Sequence, residues 1–405
     1  MRIFFWMGCL SYLLIGLSHV IIGSLLPEIL RAYGKDYSDG GLLVSLQFGG
    51  FLIGVLSGPR CARKLGKRGA LLFCLFCLTV AELVFFSLPA WGLVLAFAPL
   101  AGFGFGMVET IIGALIIQHM EESHKTTAMT RLEVFFGVGA LLMPLLSSLF
   151  ISVGWWRGAF LSLSMLSITL LILWALLPLG RMEAVMSRQA SGQDVASAAT
   201  PPVRMSRSSW RLLTLFMLVF AVYVGSEMSV ANFLPSILVE NVGVKPEIGA
   251  LGVTCFWGAM ALGRLFAAQL AEKMGKSRYL LVSAAGGAVI LAGFIMAKGI
   301  IASFILIMIL GLVMSGMFAV ALVYANDFFR GREERITSIL IAAGGVGGAL
   351  LPLLTGWLME RLSVFQALWV LVLFYLFMLA LVFQASRMGE GQADSKVSEA
   401  ARSTK

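Results

Sequence analysis

Twelve stretches of roughly 20 apolar residues run through this 405-residue chain, near 4–27, 40–58, 69–88, 92–118, 131–153, 158–179, 212–238, 248–270, 279–297, 300–324, 337–358 and 364–385. A helix of about 20 residues crosses the ~30 Å hydrocarbon layer of a bilayer. Water is absent there, so every backbone group has to be hydrogen-bonded within the protein, which leaves helices or closed barrels as the spanning structures. A soluble core of this size would need a polar surface to cover it. Only 13% of the residues are charged and 59% are hydrophobic, whereas soluble domains are about a quarter charged. The expected fold is an all-α membrane protein of twelve transmembrane helices in two pseudo-symmetric six-helix bundles. The first apolar run is too long for a signal-peptide core and is followed by further spans, so it is read as the first helix.

The net charge of +9 does not point to nucleic acid, because the cations sit in short loops between apolar runs. Arg60, Arg63, Lys64, Lys67 and Arg68 fall on one side, with Lys125, Lys273, Lys276, Arg278, Arg330, Arg332 and Arg335. The other side holds scattered cations such as Lys35, Arg157, Lys245, Lys298 and Arg361. Membrane proteins retain Lys and Arg on the cytoplasmic side, so both termini are expected there in a multi-pass protein of the plasma (inner) membrane. Residues 181–210, rich in Ser, Ala, Gln and Arg with Pro201-Pro202, read as a cytoplasmic linker. The linker separates an N-terminal bundle, 1–180, from a C-terminal one, 211–386. The polar stretch 387–405 is expected to be a disordered cytoplasmic tail. The five cysteines imply no disulfide framework, and the Cys74-x-x-Cys77 pair has no second pair or nearby histidine to hold a metal. No cofactor is expected, and the chain is expected to work as a monomer in the lipid bilayer.

Two echoes suggest an internal duplication. GPRCARKLGKR (Gly58–Arg68) follows the second span, and GRLFAAQLAEKMGKSR (Gly263–Arg278) follows the eighth. GVGALLMP (Gly137–Pro144) in the fifth span answers GVGGALLP (Gly345–Pro352) in the eleventh. The small residues allow close helix crossing and each proline marks a place where a helix can bend.

An ionisable group in mid-membrane costs about 2.5–3.5 kcal/mol on insertion scales, so each one needs a partner or a function. Glu109, among Gly102, Gly104 and Gly106, is the first candidate for proton coupling, since a carboxyl shielded from water can hold and release a proton. The plain alternative is a structural glutamate bonded to a neighbouring helix. Glu133 and Arg131 open the fifth span and suit either a water-exposed gate or a loop salt bridge. Glu227 in the seventh span, with Asn232 five residues on and expected close to the same face, could meet substrate hydroxyls. Arg264, near the end of the eighth span, suits a gating bridge to an acid or a helix terminus. Trp257 offers a flat ring for a sugar to stack on, although a lone membrane tryptophan is more often an anchor. Gln47, Gln118 and Asn326 are neutral polar groups that could touch a substrate. His19 could relay protons, but a single histidine among apolar neighbours is more often a packing residue. His119 and His124 read as loop residues. No glycine loop with Lys and Ser/Thr is present, so nothing suggests ATP hydrolysis. No nucleophile–base pair suggests an enzyme.

Six passages resemble a known family: HVIIGSLLP (His19–Pro27), LQFGGFLIGVL (Leu46–Leu56), VETIIGALI (Val108–Ile116), RLEVFFGVGALLMPLL (Arg131–Leu146), YVGSEMSVANFLPSI (Tyr223–Ile237) and FWGAMALGR (Phe256–Arg264). Together they are similar to the fucose–galactose–glucose:proton symporter family of the major facilitator superfamily, on its glucose/mannose side. The resemblance implies alternating access about a central cavity shared by a small-molecule sugar and protons. Within the family the acid of the fourth-span string serves proton coupling, which falls on Glu109. Joined to the reading of the residues above, the expected substrate-binding set is Gln47, Glu227, Asn232, Trp257 and Asn326, with Glu133 as a second coupling acid and Arg131, Arg264 and Glu272 as gating residues. Arg63 stands where the superfamily usually has an acid in the loop after the second span, whereas Glu272 keeps that acid in the second half. Gly23 stands where fucose-type members carry aspartate, which argues against fucose. The alternative expectation is a proton-driven efflux pump for amphipathic compounds, favoured by a Met- and Phe-rich cavity.

Overall fold

The computed structural model describes residues 2–119, 122–178, 186, 207–329 and 333–403. Apart from Met186 and the start of the seventh crossing, the linker lies outside the described residues. So do the side chains of Gln118, His119, His124, Lys125, Arg330, Arg332 and Arg335. The described chain is helical almost throughout: α1 (Arg2–Tyr33), α2 (Tyr37–Phe86), α3 (Trp91–His119), α4 (Glu122–Ser152), α5 (Gly158–Leu176), α6 (Arg207–Ile237) with a π-turn (Leu238–Val242), α7 (Pro246–Met274), α8 (Lys276–Met296), α9 (Ile300–Met314), α10 (Met317–Phe328), α11 (Glu333–Arg361) and α12 (Val364–Ser403).

Helix count and crossing count differ in two places. At 50 residues, α2 would be about 75 Å long if straight, at 1.5 Å per residue, more than twice the hydrocarbon thickness. It doubles back at Gly66 (φ 77, ψ 157) and so supplies the second and third crossings. Conversely, the tenth crossing is split into α9 and α10 at Ser315-Gly316. The carbonyl of Met314, next to the break, accepts a hydrogen bond from the Tyr223 hydroxyl of α6 at 3.2 Å, which satisfies a backbone group where lipid could not. Among the described residues the total is twelve crossings.

Both echoes become geometry. Gly275, which answers Gly66, also has positive φ (φ 88, ψ 137), a region side-chain-bearing residues rarely adopt. In the second echo, Gly139 lies against the backbone of Leu13 and Leu17 on α1, and Gly347 lies against Ala221 on α6. The first crossing thus packs on the fifth as the seventh packs on the eleventh. Hydroxyl pairs repeat the relation, Ser24 with Ser147 at 2.9 Å and Thr355 with Ser229 at 3.0 Å. The two bundles meet where α2 packs on α11, α4 on α7 and α1 on α6. α1 and α6 are the most buried crossings, 83% and 67% of their apolar windows, as expected of helices at the molecular axis. Apolar side chains such as Leu176, Val289 and Ile301 stay exposed on the outside, which suits lipid.

Among the loop cations, Arg68 has a structural task as well. Its guanidinium donates to the carbonyls of Trp174, Ala175 and Leu177 at 2.8–3.1 Å, capping the C-terminal end of α5. At the far end, α12 runs on to Ser403, where residues 387–405 were expected to lack regular structure. Adding turns to an existing helix costs far less than starting one, and Ala, Glu, Lys and Arg in this stretch are good helix formers.

Candidate functional site

The bundles touch along one half of their height. At the end away from the basic loops, the Tyr37 hydroxyl donates to the Glu240 carboxylate at 3.1 Å, and Gly41 packs on Pro352 and Gly356. Further in, Gly23 lies against Asn232, Phe48 against Gly348, and Leu52 against Gly345. Thr254 of α7 donates to the Leu141 carbonyl of α4 at 3.3 Å. Beyond mid-membrane, toward the basic loops, Arg131, Glu133 and Arg264 are exposed. These contacts form a closed roof at one end, while the charged side chains stay exposed toward the basic-loop end.

Charged side chains form a string beneath that roof, from one bundle to the other. Glu109 on α3 is partly exposed, and its backbone carbonyl accepts from the Tyr12 hydroxyl of α1 at 3.3 Å. The Glu109 carboxyl is in electrostatic reach of Glu133 on α4, and Glu133 is in turn attracted by Arg264 of the opposite bundle. Arg264 also acts on Glu227, so one cation is shared between an acid of each half. Two carboxyls facing each other disfavour double ionisation, and a nearby guanidinium favours it.

A second group of polar atoms lies at the roof. Gln47 of α2 is fully buried; its amide donates to the Ser18 carbonyl at 3.3 Å, while Oε1 has no hydrogen-bond partner among the described residues. The same holds for Oδ1 of Asn232 and Nε1 of Trp257, both buried. His19, on α1 one turn from Gly23, has an unpartnered Nδ1. Its ring is surrounded edge-on by Phe48, Phe51, Phe105, Phe136 and, from the opposite bundle, Trp257, with centroids 5.1–6.4 Å away. Buried polar groups are nearly always paired. A cluster of unpaired acceptors and one donor, drawn from α1, α2, α6 and α7, is suited to a neutral polar ligand entering between the bundles.

The residues named from sequence do not all converge. Gln47, Asn232 and Trp257 each adjoin α1, and Glu109, Glu133 and Arg264 are linked electrostatically. Glu227 and Asn232 do not share a face: five residues turn a helix by about 500°, leaving them about 140° apart. Glu227 instead lies in electrostatic reach of Tyr223 and Tyr375, inside its own bundle. Asn326 is two residues from the end of α10 and donates to Thr337 of α11 at 2.9 Å, beside the ion pair of Lys276 with Asp327. It lies at the basic-loop end, away from the roof. Glu272 is exposed near the end of α7, and Arg131 lies within electrostatic reach of Cys9 on α1. One carboxyl went unnoticed: Glu82 in the third crossing is fully buried with neither oxygen partnered among the described residues. The mid-membrane test applied to Glu109 would have found it. No group of three or more His, Cys, Asp or Glu able to hold a metal occurs among the described residues.

Known proteins give the same architecture. The profile of the Major Facilitator Superfamily matches residues 8–236 and 216–403. The glucose/mannose transporter GlcP of Bacillus subtilis (strain 168) is 29% identical over 354 residues, 87% of each chain. Among solved structures, a bacterial homolog of the human lysosomal transporter Spinster, in an inward-facing and unoccupied conformation, superposes with a TM-score of 0.76 at 13% identity, covering 96% of this chain and 98% of that one. The D-xylose-proton symporter gives 0.72 at 15% identity, covering 95% and 96%. Two pseudo-symmetric six-crossing bundles, a transporter relative covering most of the chain and a family profile running nearly end to end lead to one assignment: this chain is a multi-pass membrane transporter, not an enzyme, and it belongs to the Major Facilitator Superfamily.

Proposed function

We propose that the chain is a proton-coupled symporter of a glucose- or mannose-like hexose, working by alternating access. The observation that carries the reading is the set of unpaired polar atoms at the roof, Gln47 Oε1, Asn232 Oδ1 and Trp257 Nε1, contributed by both bundles. Hexose hydroxyls each donate one hydrogen bond and accept others, so two of them on one ring satisfy all three atoms, and the ring's C–H face suits the indole. Selectivity follows because a ligand lacking the matching hydroxyl leaves a buried group unpaired. The similarity to the Bacillus subtilis glucose/mannose transporter supports the same substrate class. Glu109 carries the proton in this reading, with Glu133 as its partner and Arg264 as the group that retunes the pair when the halves move. Glu227 acts on the coupling side through Arg264. Asn326 and Glu272 belong to the closure at the basic-loop end, with Arg131 beside it. Residues 1–180 and 211–386 are the two moving halves, joined by 181–210, in a plasma membrane with both termini cytoplasmic.

The test is uptake of labelled glucose into proteoliposomes under an imposed pH gradient. Accumulation above the outside concentration is expected, with Glu109→Gln abolishing it while counterflow exchange of sugar continues. Uphill uptake by Glu109→Gln would overturn the proton role. Outward movement of an amphipathic dye with no sugar uptake would favour an efflux pump instead, for which the phenylalanines around His19 would serve as the lining.

A further inference from the structure

His19 is half-buried at the middle of α1, and its surroundings argue against a packing role. Phe48 and Phe51 from α2, Phe105 from α3 and Phe136 from α4 enclose the imidazole edge-on within its own bundle, at interplanar angles of 63–88°. Phenylalanine would fill such an aromatic box without burying a polar atom. Histidine places Nδ1 there with no partner, a standing cost that packing does not require. The remaining wall is Trp257, 6.3 Å away on the opposite bundle, with its own Nε1 unpaired. Gln47, whose amide is held by the carbonyl of Ser18 next door, presents a third unpaired atom, Oε1.

The geometry points to His19 as a substrate-binding residue, whose Nδ1 accepts a hydrogen bond from one hydroxyl of a neutral pyranose seated between it, Gln47 and Trp257. This inference rests on the sugar-transport reading and extends it to a residue outside the set named from sequence. With the ring proton on Nε2, Nδ1 and Gln47 Oε1 are acceptors and Trp257 Nε1 is a donor, a pattern that hydroxyl groups match and a carboxylate or ammonium does not. Because Trp257 belongs to the other half, a sugar held in this way is gripped by both bundles. Separation of the roof would release it toward the opposite side.

The test is competition of a panel of monodeoxy-glucoses against labelled glucose, in the wild-type chain and in His19→Phe, His19→Asn and His19→Gln. Asparagine keeps an acceptor near the Nδ1 position, and glutamine moves it about one bond further out. In the wild-type chain, one deoxy sugar is expected to compete about tenfold more weakly than glucose through loss of this contact. In His19→Phe, glucose itself should weaken by about that factor and the discrimination at that hydroxyl should vanish, while His19→Asn retains part of it. Unchanged discrimination in His19→Phe would overturn the assignment and leave the transport reading intact. A wild-type chain that neither binds nor moves any sugar would overturn both. Should His19→Phe fail to fold, His19→Asn against His19→Gln decides the question: retention in both alike counts against Nδ1.

Discussion

Gly23 shows how one missing side chain is answered from another helix. A Cβ built there would lie 2.6 Å from Oδ1 of Asn232 and 2.7 Å from its Cα. The amide can rotate but the Cα cannot, so α1 and α6 approach this closely because position 23 carries no side chain. Asn232 then supplies a polar group against α1 at a position where α1 itself has none. Gly23→Asp is expected to push the bundles apart and to lose both folded yield and sugar uptake, measured by detergent-extracted monodisperse protein and proteoliposome transport. Trp257 offers a gentler probe. Trp257→Phe keeps an aromatic wall and removes the N–H, worth about 0.5–1.5 kcal/mol for one hydrogen bond. Its KM for glucose should rise roughly 2–10-fold with little change in maximal rate; an unchanged KM would remove the indole nitrogen from the site.

At the scale of elements, the paired motifs in α4 and α11 are packing devices. A Cβ on Gly347 would run into the backbone carbonyl of Ala221, and one on Gly139 into that of Leu13, whereas one on Gly137 would meet nothing within 4 Å. Backbone oxygens in a helix have no rotamer to escape into, so overpacking of about 1–3 kcal/mol follows. Gly347→Ala and Gly139→Ala should each lower the thermal midpoint of the purified transporter, while Gly137→Ala, in the same motif, should leave it unchanged. Equal effects at all three sites would show that the motif acts through helix propensity and not through the crossing. The duplication was legible in the sequence because short glycine strings recur in the same order. Which glycine of each string meets the partner helix was not, since that depends on how α1 and α6 are rotated.

Over the whole molecule, the contacts from Tyr37–Glu240 down to the level of His19 close one end and leave Glu133 and Arg264 exposed at the other. A single cysteine at position 133, in a chain freed of its five native cysteines, should react with a membrane-impermeant maleimide from the side of the basic loops and resist it from the other side. A cysteine at position 232, beneath the roof, should be protected from that other side in the same state. Labelling of position 133 from the opposite side would refute the one-sided opening, and vesicles of known sidedness would assign the basic loops to the cytoplasm or away from it.

The twelve crossings, the duplication and the basic-loop asymmetry were determined by the sequence, because membrane insertion responds to local apolar length and loop charge, both linear properties of a chain. The grouping of site residues depended on tertiary structure. Glu227 and Asn232 share a helix yet face different neighbours, and Asn326 is drawn to Thr337 at the far end. His19, unremarkable as a lone histidine, becomes notable only when three helices of its own bundle and one of the opposite bundle place five rings around the imidazole, whose Nδ1 is unpaired. Hydropathy records that a residue can lie in a membrane; helix rotation and bundle closure decide what it meets there.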